Sequence, residues 1–252
     1  MRFRTLVAPV LGVALALGTA SAASAHVKGA PTAPTVNFFA SPLPAVGTTL
    51  SNSTDTPSIS LKDGWTMSSS HGIASAYVDF YNGSSSKQVW SYSGGADTVT
   101  GKYQWSQQIG NFTELDGSAT DELGNTGSNS TYISPGLSDS GGASYGPGWQ
   151  TSKCNCYTDG QILYSTKAGA TATYQFSGSR LVSFVSDTGP SRGEVALSIN
   201  GGAFKDVKLS GGSSTVNRVV VWNSGFLNDN DSYTLTVKVV SGRVDVEGFI
   251  TN

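Results

Sequence analysis

The chain has 252 residues, of which only 13% are charged, and its formal net charge is −2. A weakly acidic chain without clusters of Lys and Arg argues against nucleic acid or an anionic membrane as the partner. Two His and two Cys leave few side chains for proton transfer or nucleophilic attack. The composition therefore favours a binding or structural protein over an enzyme, and we expect no cofactor.

Residues 1–25 have the layout of a secretory signal peptide. Arg2 and Arg4 precede an apolar stretch at 6–17, and small-residue cleavage motifs follow at 20–22 and 23–25. The apolar stretch is too short to span a bilayer, and no later run approaches that length. Cleavage removes two of the 15 basic residues and leaves 13 against 17 acidic ones, a net charge of −4. We expect a secreted, extracellular protein without membrane insertion.

The segment 26–57 is rich in proline, at positions 31, 34, 42, 44 and 57. Because proline removes amide donors and fixes φ, this composition predicts an extended lead-in that acts as a linker. An edge strand near residues 36–39, docked on the first domain, is the alternative.

Alternating patterns then predict β-strands through residues 58–133. Val78 and Phe80 share one face, and Tyr77, Asp79 and Tyr81 share the other. An Asn-Gly pair at 82–83 predicts a hairpin turn, with a partner strand at 87–92. Nowhere does an apolar period of 3.6 residues persist for three turns, so we expect an all-β domain.

The Gly-, Ser- and Pro-rich segment 134–148 is interpreted as a linker between two domains. Beyond it, seven further strands are predicted at 171–176, 180–186, 194–200, 204–209, 217–222, 233–240 and 243–250. Short strands separated by Asn-Gly and Gly-Gly turns are typical of an antiparallel β-sandwich. The predicted fold class is all-β, with two antiparallel β-sandwich domains in tandem.

Two motifs in the first half resemble a known family. Gly-Ile-Ala-Ser-Ala at 72–76 and Ala-Thr-Asp-Glu-Leu-Gly-Asn at 119–125 are similar to the early strand and late corner of fibronectin-III-like or bacterial immunoglobulin-like domains in secreted actinobacterial proteins. The resemblance implies a sandwich of that kind over residues 58–133.

Motifs at 169–178, 189–193 and 244–250 resemble the jelly-roll module that often follows such a domain, a galactose-binding-like carbohydrate-binding fold. In this chain Ile-Asn-Gly at 199–201 replaces the usual Val-Asp-Gly, and the stretch 231–234 lacks the usual His. The resemblance implies a jelly roll over residues 149–252 and a glycan or cell-envelope polymer as ligand. Jelly rolls host many functions, so the ligand follows only loosely.

Cys154 and Cys156 are the only thiols. On a flat strand, Cα atoms of residues i and i+2 lie about 7 Å apart, near the limit for a bridge, so a disulfide requires a turn. The surrounding stretch 153–160 is rich in turn formers, and export favours the oxidised state. A local disulfide is therefore preferred over a two-thiolate metal clip.

Two stretches of the sequence could hold a metal ion. Asp121 begins an Asp-Glu-Leu-Gly-Asn stretch that could offer oxygen ligands to Ca²⁺, but a turn closed by the Asp121 carboxylate is preferred. Cleavage after residue 25 makes His26 the N-terminal residue. Its amine and ring, together with His71, are the ligand set of a copper-dependent polysaccharide oxidase, and this is the enzymatic alternative.

The predicted ligand-binding residues combine aromatic rings with polar groups, because sugars present both apolar C–H faces and hydroxyls. They are Trp149, Tyr157, Asp187, Arg192 and Trp222. Arg192 is expected at the exposed tip of a Gly-Pro-Ser-Arg-Gly turn. We expect a secreted, non-catalytic protein that binds a glycan, with a purely structural or protein-interaction role as a further alternative.

Overall fold

The computed structural model describes residues 32–38, 43–51, 57–83 and 85–252. The predicted signal peptide and His26 lie outside these ranges. The described residues contain no α-helix, and the ladders between their strands are antiparallel. No described helix is long and apolar enough to cross a membrane. The predicted all-β, antiparallel class is confirmed.

The first sandwich is built from six strands that form one hydrogen-bonded sheet. They are β1 Thr35–Phe38, β2 Leu43–Pro44, β3 Ser58–Asn82, β4 Ser85–Gln108, β5 Thr113–Asp121 and β6 Thr126–Ile133. β3 and β4 form a single long hairpin whose turn contains Gly83 at φ +63°, as the Asn-Gly pair predicts.

This sheet folds over on itself where β3 bends. The first part of β3 pairs with β1 and β2, the last part pairs with β5, and the register shifts between Ser68 and Ile73. Gly72, at φ +71°, supplies the left-handed conformation in this bulge. Trp65 and Trp90 come from the two halves and meet face to edge, with ring centroids 5.7 Å apart. Immunoglobulin-type sandwiches have two separate sheets, so this strand topology does not support the predicted resemblance.

The second sandwich contains a four-stranded sheet in the order β15-β12-β18-β7 and a five-stranded sheet in the order β14-β13-β16-β11-β8, with β17-β10-β9 as a small third sheet. Its strands are β7 Gly136–Asp139, β8 Ser144–Tyr145, β9 Gln150–Lys153, β10 Gln161–Ser165, β11 Thr171–Ser177, β12 Val182–Thr188, β13 Glu194–Ile199, β14 Lys205–Lys208, β15 Val216–Asn223, β16 Ser232–Ser241, β17 Val244–Val246 and β18 Gly248–Thr251. All seven predicted strands are present, the last of them divided at Glu247.

Described parts of both predicted linkers pair with the sheets. Within 134–148, β7 pairs with β18 and β8 pairs with β11, so this segment begins the second sandwich. Within 26–57, β1 and β2 pair with β3 at the edge of the first sheet, and β1 agrees with the alternative prediction of an edge strand near residues 36–39. The linker interpretations were wrong because small and Pro-rich residues still offer backbone groups that pair along a sheet edge.

The four-stranded sheet is buried on both faces and joins the two sandwiches. Phe184 and Phe249 face the core of the second sandwich, whereas Val185, Val220 and Ile250 belong to the core of the first. The segment 45–51 runs beside β15: the amide of Gly47 donates to the Val220 carbonyl at 2.7 Å, and that of Val220 donates back to Thr48 at 2.8 Å. The two sandwiches therefore share a middle layer.

Candidate functional site

The predicted disulfide between Cys154 and Cys156 is present, and the Cα atoms lie 5.0 Å apart. A turn makes this short distance possible, since the amide of Tyr157 donates to the Cys154 carbonyl at 3.0 Å. The turn continues into a short 3-10 helix, Thr158–Gly160, in which Asp159 has φ +53°. The prediction that a disulfide here requires a turn is confirmed.

Beneath this disulfide loop lies a cluster of buried charges. Arg192 donates to the Asp187 carboxylate at 3.0 Å and also contacts Asp245. Arg243 contacts the other oxygen of Asp245 at 2.7 Å. Both aspartates are fully buried, and the Arg192 side chain is only 9% exposed. The expectation that Arg192 is an exposed turn residue was wrong, because two buried carboxylates draw its guanidinium inward.

Glu247 ties the disulfide loop to this charged cluster. One of its carboxylate oxygens accepts the amide of Thr158 at 2.8 Å. Burial and a hydrogen bond with Asp187 raise the pKa of Glu247 to about 8. A carboxyl group that keeps its proton near neutral pH can donate a hydrogen bond to the neighbouring Asp187 side chain, which also binds Arg192.

Arg218 is a large, buried, charged side chain that the sequence analysis did not identify. It is 2% exposed and has φ +58°. Its guanidinium donates to the carbonyls of Cys156 at 2.9 Å, Asn155 at 3.3 Å and Tyr157 at 3.0 Å, and also to Ser51 at 3.0 Å. One side chain therefore fastens the disulfide loop, β15 and the segment 45–51 together.

Of the remaining predicted ligand residues, the two tryptophans lie apart from this cluster, whereas Tyr157 lies beside it. Trp149 donates from its indole nitrogen to the Thr171 carbonyl at 2.9 Å and packs against Tyr145. Trp222 is half-buried against the second core, and Tyr157 is buried beside the disulfide. The structure brings together Tyr157, Asp187 and Arg192, which are buried, and leaves both tryptophans elsewhere. A ligand role for these residues stays a prediction.

His71 is buried, with its Nδ1 atom 3.6 Å from the Asp121 carboxylate. Asp121 accepts the amides of Leu123 at 3.0 Å and Asn125 at 2.8 Å, and these bonds hold the pKa of its carboxyl below the usual value despite burial. The preferred interpretation of Asp121 as a turn residue is confirmed. Within the described ranges, no group of three or more His, Cys, Asp or Glu side chains could hold a metal ion.

An exposed polar surface on the first sandwich has the composition expected of a glycan site. It lies on the outer face of β3, β5 and β6, opposite the inward-facing Val78 and Leu115. We call it the tyrosine–carboxylate face, and its residues are Tyr77, Asp79, Tyr81, Glu114, Asp116 and Tyr132.

Strand register arranges these side chains in rows. Tyr81, Glu114 and Tyr132 form one row across three strands, and Asp79, directly opposite Asp116, belongs to the next. Phe112 stacks on Tyr132 with ring centroids 5.4 Å apart and extends the aromatic end of the face. The face therefore presents aromatic rings around a central group of carboxylates.

Electrostatics single out the centre of this face. Partial burial and the neighbouring Glu114 and Asp79 raise the pKa of Asp116. Partial desolvation and the same carboxylates raise the pKa of the Tyr81 hydroxyl. Like charges directly opposite each other destabilise a sheet, and among the described residues no ion pair neutralises this group. The alternation of residues 77–81 was visible in the sequence, but their pairing with β5 and β6 was not.

No known protein family and no curated protein sequence matches the chain. Solved structures give partial similarities. A beta-(1,4)-mannanase of Podospora anserina is 17% identical with a TM-score of 0.38, over 47% of this chain and 27% of that one. An exo-beta-1,3-galactanase of Phanerochaete chrysosporium is 12% identical with a TM-score of 0.38, over 86% of this chain and 68% of that one. An esterase active on acetylated mannans is 12% identical with a TM-score of 0.36, over 48% and 37%.

This chain thus spans about a quarter of the mannanase chain and little more than a third of the esterase chain. With TM-scores below 0.5, these similarities establish neither a shared fold nor a shared activity.

Proposed function

We propose that this protein is secreted and binds a glycan, without catalysis, through the tyrosine–carboxylate face. The observation that carries the proposal is the exposed arrangement of three tyrosines around Asp79, Glu114 and Asp116 on one sheet. Tyrosine rings offer flat apolar surfaces to the C–H faces of sugar rings, and carboxylates accept hydrogen bonds from sugar hydroxyls.

The dimensions of the face suit an extended chain. Tyr77 and Tyr81 are four residues apart on β3, which separates them by about 13 Å. Tyr132 lies two strands away from Tyr81, or about 10 Å across the sheet. A platform of this size accommodates more than one sugar ring, and its strands hold it flat without any ligand-induced change.

Charge narrows the class of glycan. Three carboxylates concentrate negative potential at the centre of the face, so uronate- or phosphate-bearing polymers are repelled. Neutral polysaccharides and those with amino groups are the expected ligands. Among cell-envelope polymers, the proposal therefore favours neutral or amino-sugar chains over anionic ones.

Retention of the purified protein on insoluble polysaccharides tests the proposal. The panel holds neutral, amino-sugar and anionic polymers, and we expect retention on members of the first two groups only. The double substitution Y77A/Y81A should abolish retention, because it removes both rings on β3. F226A is the matched control, since Phe226 is 63% exposed on the second sandwich and away from the face.

Retention of wild type on no polymer would reject the glycan ligand and leave a structural or protein-interaction role. Equal retention of Y77A/Y81A and wild type would place the binding surface elsewhere. Melting temperatures of all three proteins show whether lost retention reflects lost folding.

A further inference from the structure

The interior of the first sandwich contains a buried carboxylate without a full set of partners. Asp63 lies between Leu61 and Trp65 on the inward face of β3 and is 4% exposed. Its Oδ1 atom accepts the amide of Gly64 at 2.7 Å, whereas Oδ2 has no hydrogen-bond partner. Burial raises the pKa of this carboxyl to about 6, so it is mostly ionised at neutral pH.

A buried donor stands two residues farther along the same strand and on the same face. Trp65 is fully buried, and its indole nitrogen also lacks a partner. The indole lies against Gly101, where a Cβ atom would come within 2.5 Å of that nitrogen, so only glycine leaves room for the ring in this position. Buried indole N–H groups usually find an acceptor. The acceptor Asp63 Oδ2 and the donor Trp65 Nε1, at adjacent inward positions of β3, therefore both lack a hydrogen-bond partner.

Aromatic rings surround these two groups and extend outward from them. Trp90 contacts Trp65 from the opposite half of the sheet. Tyr103 is the cross-strand neighbour of Asp63 and packs against Phe80, with centroids 5.4 Å apart. Trp90, Tyr103 and Phe80 are only half-buried.

Strand order shows which side of the folded sheet is unpaired. β4 pairs with β3 along both halves of the hairpin and with no other described strand, so it forms the open side of the folded sheet. Trp90 and Tyr103 both lie on β4, one from each half. Both residues therefore lie on the unpaired side of the folded sheet, and Tyr103 is directly opposite Asp63.

We propose that the unpaired side of the sheet at Trp90 and Tyr103, which we call the β4 mouth, opens to the interior and binds a single sugar ring at the end of a chain or as a free saccharide. The ring lies against Trp90, Tyr103 and Phe80, and one hydroxyl reaches the interior. That hydroxyl donates to Asp63 Oδ2 and accepts from Trp65 Nε1. A hydroxyl fits because it donates and accepts through one oxygen, which is what the two open groups require.

The site is separate from the tyrosine–carboxylate face and does not rest on the proposed function. That face lies on the outer side of β3, whereas Asp63 and Trp65 point inward. The two sites also differ in their optical signature, since the tyrosine–carboxylate face contains no tryptophan. Binding at the β4 mouth changes the environment of Trp65 and Trp90, so tryptophan fluorescence reports on this site.

Fluorescence titration of the full chain with soluble neutral mono- and disaccharides tests the proposal. Wild type should give a saturable change. D63N keeps the acceptor for Gly64 but removes the charge, and it should weaken binding about tenfold or more. W65F removes the N–H donor, retains Trp90 as the reporter, and should weaken binding about three- to tenfold. F226A, on the second sandwich, is the control and should bind as wild type does.

A wild-type protein that gives no saturable change with any saccharide overturns the proposal, whatever it retains on insoluble polymers. So does a D63N or W65F variant that melts as wild type does and binds with unchanged affinity. If D63N fails to fold, W65F decides the outcome. The two sites can fail separately. A Y77A/Y81A variant that is not retained on polysaccharide but titrates normally by fluorescence has lost only the tyrosine–carboxylate face.

Discussion

The two sandwiches differ in the charges that lie beside their buried carboxylates. In the second, Asp187, Asp245 and Arg192 are fully or largely buried, and each has an oppositely charged partner. In the first, Asp63 and Trp65 are equally inaccessible, yet an oxygen of one and the nitrogen of the other have no partner. A buried polar group without a partner costs about 1–3 kcal/mol. Buried atoms without a hydrogen bond occur in both sandwiches, but the carboxylates of Asp187 and Asp245 have cations beside them, whereas no described ion pair involves Asp63. We therefore interpret the charged cluster as structural and the Asp63–Trp65 position as one where a ligand binds.

The outer surfaces differ as well. In the second sandwich Tyr157, Asp187 and the Arg192 side chain are turned into the interior, whereas Trp149 and Trp222 lie half-buried elsewhere. The first sandwich places three tyrosines and three carboxylates on an open sheet face, with like charges directly opposite each other. The comparison assigns stability to the second sandwich and ligand contact to the first, and four substitutions or treatments test that division.

The largest expected effect is on stability at Arg218. R218M leaves the carbonyls of Ser51 and of the disulfide loop without their donor, and we expect a loss of about 3–5 kcal/mol in the free energy of unfolding. R180M is the control, because the Arg180–Asp229 pair is exposed and should contribute less than about 1 kcal/mol. Urea denaturation measures both. Equal losses in the two variants would contradict a structural role for the buried guanidinium.

A pH-dependent effect is expected at Glu247. Its folded-state pKa of about 8 lies above the ordinary value of 4.5, so the native state holds a proton that the unfolded state releases. Stability from this group is therefore fully present below pH 4.5 and is lost as pH rises toward and through 8. E247Q mimics the protonated form and should remove that slope, with a gain on the order of 4 kcal/mol over wild type at pH 8.5 relative to pH 5. Denaturation curves that stay parallel across this range would refute the assignment.

Reduction of the disulfide should have a smaller effect. The bridge closes a loop of only three residues, and the chain-entropy account gives about 1–2 kcal/mol for so short a loop. Titration of the unfolded, unreduced protein should find no thiols. Melting with and without reductant measures the difference, and C154S/C156S serves as the permanently reduced control. A fall as large as that of R218M would mean that the bridge itself positions the carbonyls that Arg218 binds.

The smallest effect on stability is expected at the tyrosine–carboxylate face. D79N relieves repulsion with the directly opposed Asp116 and should raise the free energy of unfolding by a few tenths of a kcal/mol, on the scale of about 0.2–1 kcal/mol for cross-strand pairs. The same change should weaken retention on neutral polysaccharides, since it removes a hydrogen-bond acceptor. A variant that is both less stable and fully retained would contradict the assignment of this face to ligand binding.

The sequence was informative where local pattern decides structure. Alternation predicted all seven strands from 171 to 250, and an Asn-Gly pair located the β3–β4 turn. The sequence was uninformative where the pairing of backbone groups decides the structure. The segment 134–148 has a linker's composition, but its amides and carbonyls complete two sheets, and no side-chain pattern records that.

The candidate sites depend on contacts between residues distant in the chain. Arg218 binds carbonyls at 51 and 155–157, a set that only the folded backbone brings together. Asp63 looks like an ordinary surface residue in the sequence until its position between Leu61 and Trp65 on the inward face is known. The pattern at 77–81 was legible as one face of a strand, whereas the opposing carboxylates at 114 and 116 required the register of β5.

Amide chemical-shift mapping of the full chain with a soluble neutral oligosaccharide tests the division between the sandwiches most directly. Binding at the tyrosine–carboxylate face predicts shifts concentrated at residues 77–81, 114–118 and 130–132, with additional shifts at 61–65 when a sugar ring enters the β4 mouth. The amides of 187–193, of 154–158 and around Trp149 and Trp222 should stay unchanged. Shifts confined to those regions of the second sandwich would contradict the account and return the binding site to the residues predicted from sequence.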